Sequence, residues 1–180
     1  TDNPNYLFVT VDITADAMPG SFDIEFVEAG KVVAVHPWRL DARAPGSAQR
    51  RGFDARDAIY LITPDRFANG DPSNDSMASM TEAANRANPN GRHGGDIAGQ
   101  RAHLDYIAGL GFTQLWPTPL LENDQPQQSY HGYAITDLYR IDPRFGSNDD
   151  YIALAREARA HGIGLIMDVV LNHIGSQHWW

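Results

Sequence analysis

Short runs rich in β-branched and aromatic side chains open the chain, at residues 6–13 (YLFVTVDI), 21–27 (SFDIEFV) and 32–38 (VVAVHPW). Pro19-Gly20 separates the first two runs and Ala29-Gly30 the second from the third, so turn residues stand where strands would reverse. Three short strands with tight turns predict a piece of a β-sandwich, too few strands to close two sheets.

A stretch of small residues at 44–48 (APGSA) marks a domain boundary. We therefore expect a partial sandwich over 1–42, a linker over 43–56 and a second domain over 57–180. Past the boundary the pattern becomes strand, helix, strand, helix, strand. Residues 58–64 form a compact apolar run. A helix should start after Asp96, a good N-cap, with Ile97, Arg101, Leu104 and Ala108 on one side, and Leu110-Gly111 should end it. Residues 112–116 predict the second strand. Ser147 and Asp150 have the spacing of a capping box, and His161-Gly162 supplies a glycine C-terminal stop. Residues 164–170 are nearly all apolar, as for a strand covered on both faces. This order predicts βαβ units on a parallel sheet. Two long irregular stretches, 65–95 and 117–146, follow strands on their carboxyl side, where long loops carry function.

Composition narrows the partners. The 180 residues carry a formal net charge of −9 and no cysteine. Nucleic acid or an anionic membrane would need a clustered basic surface, and Arg43, Arg50 and Arg51 read as a solvated linker instead. Neither partner is expected. No apolar run reaches spanning length, and disulfide and thiol chemistry are excluded. Residues 1–5 are polar, so a signal peptide is absent or already removed. The compartment stays open, with bacterial periplasm or export slightly ahead of the cytoplasm.

The segment DVVLNH (168–173), at the carboxyl end of the third expected strand, strongly resembles the first short motif of the α-amylase superfamily. DRFANGDPSND (65–75), HGGD (93–96) and SYHGYAITDLYRIDPRFG (129–146) agree with it in the same order. LWPTPLLEND (115–124) and NHIGSQHWW (172–180) are most similar to the cyclomaltodextrinase and neopullulanase group, which carries a β-sandwich before its barrel. The resemblance implies an α/β fold: about the first three strands of a TIM (β/α)8 barrel, preceded by part of an immunoglobulin-like β-sandwich. It also implies a retaining hydrolase of α-1,4-glucosidic bonds in cyclodextrins and maltooligosaccharides, and leaves a homodimer of the full-length protein open. The alternatives are a non-catalytic glucan-binding or partner barrel, or a plain α-amylase.

Such glycosidases work with two carboxylates flanking the scissile bond. By the resemblance, neither the nucleophile nor the acid lies in this chain, and what is present is one wall of the pocket. The resemblance assigns His173 and His131 as hydrogen-bond donors to the cleaved sugar, Tyr133 as the stacking platform beneath it, and Asp168 as a support for the catalytic constellation. The role of Asn172 is open. Trp116, Trp179 and Trp180 read equally well as core. Read as residues alone, the loop 69–75 is either an Asx-rich turn or a cage of hard oxygens, with Asp96 serving only as helix cap in the first case. The resemblance implies a structural Ca²⁺ held by Asn69, Asp71, Asn74, Asp75, the Gly94 carbonyl and Asp96.

Overall fold

Ala29 and Gly30 both adopt left-handed backbone, φ 48° and 77°, as a two-residue hairpin turn between right-twisted strands requires. In the computed structural model, which describes residues 7–180, this turn joins β1 (Gly20–Glu28) to β2 (Lys31–Leu40). The ladder runs antiparallel from Gly20↔Leu40 to Glu28↔Lys31, with a register shift between Phe26 and Val27. The strand expected over 6–13 does not form: residue 6 lies outside the described residues, and 7–13 enter no ladder. Val11 and Ile13 instead line an apolar groove of about 300 Å³ with Phe22, Ile24, Trp38 and Leu40. This hairpin belongs to the first of two units, Thr1–Gly52; the second is Phe53–Trp180.

In the second unit the elements are β3 (Ile59–Ile62), α1 (Pro64–Phe67), α2 (Ile97–Ala102), α3 (Leu104–Gly109), β4 (Gln114–Pro117), β5 (Leu121–Glu122), β6 (Asp137–Ile141), α4 (Asn148–Ala160) and β7 (Gly164–Leu165). Strands β3, β4 and β7 form a parallel sheet in that order, with Leu61 opposite Trp116 and Leu115 opposite Leu165. Ile62 and Leu115 belong to a buried core with Ile97, Leu104, Ile107 and Leu154. Alternation along β3 turns Leu61 the other way, and it is exposed. Among the described residues, no helix is long and apolar enough to cross a membrane.

Several boundaries differ from the sequence reading. The strand expected over 58–64 ends at Ile62, because Pro64 takes the first helical position of α1, where its missing N–H costs nothing. The single helix expected after Asp96 is two. His103 leaves helical geometry at φ −118° and ψ 18°, and its Nδ1 lies 2.8 Å from the Gly99 carbonyl. The second strand is shifted, to Gln114–Pro117. The third strand, expected over 164–170, is laddered only at Gly164 and Leu165. Its partner β4 ends in Pro117, which has no N–H to give. Met167 and Val169 are 47% and 49% exposed, so this segment is not covered on both faces. The stretch 117–146 is not wholly irregular either: β5 and β6 pair antiparallel through Leu121↔Ile141 and Glu122↔Asp137.

Helix α4 follows its local signals. The Ser147 side chain accepts from the Asp150 N–H while the Asp150 carboxylate accepts from the Ser147 N–H, and Gly162 closes the end at φ 76°. Leu154 and Ala158 bury one face, and the Arg101 Nη2–Glu157 Oε1 pair at 2.5 Å ties α4 to α2.

Candidate functional site

Gly132 sets the geometry of the turn that carries His131 and Tyr133. Its φ is 83°, and a Cβ there would overlap the Pro119 carbonyl, so only glycine lets the chain turn this closely. The turn brings the rings of His131 and Tyr133 into a stack, with centroids 6.0 Å apart and planes at 22°. The Tyr133 N–H donates to His131 Nδ1 at 2.8 Å, which leaves the ring hydrogen on Nε2. Burial pulls the His131 pKa down, with the Glu82 charge opposing, so the ring favours this neutral form.

Asp168 fixes the far end of Tyr133. Its Oδ2 accepts from the Tyr133 hydroxyl at 2.9 Å and from the Trp116 indole N–H at 3.1 Å. Burial first, and then the Asp168 hydrogen bond and charge, push the Tyr133 phenol up, so it remains a donor at neutral pH. Tyr133 is nonetheless 39% exposed, enough to present a ring to a ligand. Trp116, ambiguous in the sequence, is thus tied to the same carboxylate.

His173 joins this cluster in an unexpected way. Its Nε2 lies 2.8 Å from the Tyr133 carbonyl, and its Nδ1 3.3 Å from the Asn172 side-chain nitrogen. Both ring nitrogens face partners within the chain. In this arrangement His173 tethers Tyr133, and a sugar hydroxyl would have to replace one of these partners. The following loop is seated on the same wall by the Gly175 N–H, which donates to the Ile135 carbonyl at 2.7 Å.

The second group of sequence candidates gathers around Asp96. This buried carboxylate caps α2 through the Gly99 N–H at 2.6 Å and accepts from the Gly70 and Asp71 N–H groups at 3.0 and 2.8 Å. Asn74 Nδ2 approaches it more loosely, at 3.4 Å. Asn69 Nδ2 donates to Asp75 Oδ1 at 2.6 Å, and the Gly94 α-carbon sits against both residues. Asp71 turns outward and caps Ser73 through its Oδ1. The 69–75 loop thus lies against Gly94 and Asp96, with the Asp71 side chain turned away from them. Among the described residues no three His, Cys, Asp or Glu side chains are arranged to hold a metal. The side-chain oxygens of Asn69 and Asn74 are buried without a hydrogen-bond partner.

A buried polar network beneath the wall escaped the sequence reading. Asp142 and Arg144, both fully buried, form a two-pronged pair at 2.9 and 2.7 Å. Arg144 also donates to the Glu82 and Asn123 carbonyls, at 2.8 and 2.9 Å. Burial pushes the Asp142 carboxyl up, but the Arg144 hydrogen bonds and the Arg92 and Arg144 charges together hold it below the usual range. The Arg92 guanidinium lies over the Phe145 ring, 4.6 Å from its centre. The available signal was Asp142 and Arg144 inside the motif SYHGYAITDLYRIDPRFG, with Arg92 just before HGGD, where solvent exposure would otherwise be expected.

Parallel β/α units with long loops at the strands' carboxyl ends are the arrangement on which barrel enzymes build their sites. The family profile described as "Alpha amylase, catalytic domain" matches residues 61–180, and "Cyclomaltodextrinase, N-terminal" matches residues 1–44. The chain belongs to the α-amylase family. A β/α-amylase of Paenibacillus polymyxa is 40% identical over 122 residues, 68% of this chain and 10% of that protein. Neopullulanase 2 of Thermoactinomyces vulgaris is 34% identical over 159 residues, 88% of this chain and 24% of its own length. Among solved structures, an Anoxybacillus α-amylase matches with TM-score 0.63 and 40% identity, over 69% of this chain and 26% of that one. The chain thus spans between a tenth and a quarter of the length of these two curated relatives.

Proposed function

We propose that the chain is part of a cyclomaltodextrinase-like glycoside hydrolase that cleaves α-1,4-glucosidic bonds in cyclodextrins and maltooligosaccharides. The observation that carries this is the Tyr133 side chain, partly open, with its hydroxyl held by Asp168 and its backbone N–H by His131. An aromatic face fixed in this way packs against the apolar C–H face of a pyranose with little loss of rotamer entropy. His131, with its hydrogen on Nε2, is a donor for a sugar hydroxyl beside that face. Bond cleavage itself then belongs to a carboxylate pair outside these 180 residues. The match of residues 1–44 to a cyclomaltodextrinase N-terminal domain favours cyclic and short glucans, and an immunoglobulin-like sandwich before the barrel.

The loop 69–75 fits a structural calcium. Two buried amide oxygens without partners support this, and with the neighbouring carboxylates and a peptide carbonyl they are the hard-oxygen donor types that Ca²⁺ prefers. Asn69, Asn74, Asp75, Asp96 and the Gly94 carbonyl would hold it, with Asp71 turning inward. Bound there, the ion supplies a positive charge that ties the loop after β3 to the start of α2.

Assay of the full-length protein on β-cyclodextrin, pullulan and soluble starch tests the function. We expect β-cyclodextrin to be cleaved fastest. Starch hydrolysed much faster than cyclodextrin would overturn the cyclomaltodextrinase reading, and turnover of none of the three would overturn the hydrolase reading itself.

A further inference from the structure

Gln128 begins the turn that carries the pocket wall, and it does so in left-handed backbone, φ 57° and ψ 22°. A residue with a Cβ holds this geometry only when its surroundings enforce it. Left-handed geometry at Gln128 makes two successive N–H groups converge, its own and that of Ser129, and such a pair attracts an anion. The anion is internal. Glu82, from the loop after β3, places Oε1 3.1 Å from the Gln128 nitrogen and Oε2 2.7 Å from the Ser129 nitrogen.

Ser129 is fully buried, and each of its polar atoms is gripped by a different residue. Glu82 takes the N–H, Asn123 Nδ2 donates to the carbonyl at 3.0 Å, and Arg92 Nη1 donates to the hydroxyl at 3.3 Å. Glu82 is anchored in turn, since its carbonyl accepts from Arg144, which is locked to Asp142. Two residues beyond Ser129 stands His131, and four beyond it Tyr133.

We propose that Glu82 is a positioning residue of the glucan pocket, its carboxylate holding the Gln128–Ser129 turn so that His131 and Tyr133 are presented in register. This rests on the glucan-pocket reading above. Glu82 touches no sugar-facing side chain directly; it acts through the backbone that both rings hang from. Without the carboxylate, a buried N–H would lose its acceptor, and the turn would relax toward a geometry that needs no left-handed glutamine. A displacement of the rings by an ångström is enough to weaken a fitted site severely.

The test compares wild type, Glu82→Ala and Glu82→Gln in the full-length protein, reading kcat and KM on β-cyclodextrin together with the thermal midpoint. We expect Glu82→Ala to raise KM about tenfold, because the misplaced wall binds every substrate less well. Glu82→Gln keeps one acceptor oxygen and should recover part of that loss. A purely structural role would lower the midpoint and the active fraction while leaving KM unchanged in both variants, and that result would overturn the proposal. If Glu82→Ala does not fold, an unchanged KM in Glu82→Gln overturns it equally. Wild type that turns over no α-glucan would instead sink the glucan-pocket reading on which the proposal depends.

Discussion

Tyr133 makes two contributions that mutation can separate, a ring face toward ligand and a hydroxyl toward Asp168. Tyr133→Phe keeps the face and removes a partly exposed hydrogen bond, so it should cost about 0.5–1.5 kcal/mol of stability and change KM by only a few fold. Tyr133→Ala removes the platform and should raise KM at least about tenfold, since aromatic packing of this kind contributes the larger share. Kinetics of both variants on one maltooligosaccharide check this. Equal KM values for the two would mean the hydroxyl, and not the ring, does the binding. Tyr133, His131, Asp168 and His173 stood out in the sequence as candidates because each lies in a short motif, and the structure brings them together. The sequence did not reveal that His173 hydrogen-bonds the Tyr133 carbonyl, 40 positions earlier, or that Asp168 also holds Trp116. Those pairings depend on how strand ends lie side by side, which no local pattern encodes. Glu82 was hidden for the same reason, standing alone among Ser, Thr and Ala with its partners 46 and 47 residues away.

Helix α4 shows where local chemistry suffices. Its start, its capping box and its glycine stop were all legible, because each is made by residues within four positions of one another. Ser147→Ala should remove one half of the box, the acceptor for the Asp150 N–H, and destabilise the second unit by about 1 kcal/mol. Thermal melts of wild type and variant check this, and Ser147→Asp, which restores a capping oxygen, should recover most of the loss. No change in midpoint would mean α4 is held by the burial of Leu154 and Ala158 alone. Elements that need distant partners were less legible. Residues 7–13 have the alternation of a strand but no ladder, and 164–170 have its apolarity but only two paired residues. The break at His103 is local but subtle: histidine is an ordinary helix residue by propensity, and only its ring contact with the Gly99 carbonyl marks the end of α2.

For the second unit as a body, the connection from α1 to α2 is the longest, and two of its anchors are buried. One is the buried Asp142–Arg144 pair that grips the Glu82 carbonyl; the other is Asp96, which holds Gly70 and Asp71. At the second anchor Asn69 and Asn74 each bury an oxygen with no hydrogen-bond donor, and an unmet buried acceptor costs about 1–3 kcal/mol. A Ca²⁺ ion would satisfy both. Asp96 already accepts from four donors, and the Asn74 amide is the most distant of them, so Asn74 is the group that would swing its oxygen toward the ion. Binding to the folded state alone stabilises by about 2.7 kcal/mol when free calcium is a hundredfold above its Kd. A chelator should therefore lower the midpoint of the full-length protein by several degrees, and added Ca²⁺ should restore it. Mg²⁺ should restore less, because it demands a tighter octahedral shell than this loop offers. Asn69→Ala should abolish the calcium-dependent part of the shift. A midpoint that ignores the chelator would leave Asp96 as a helix cap and the loop as an Asx-rich turn, held by hydrogen bonds alone.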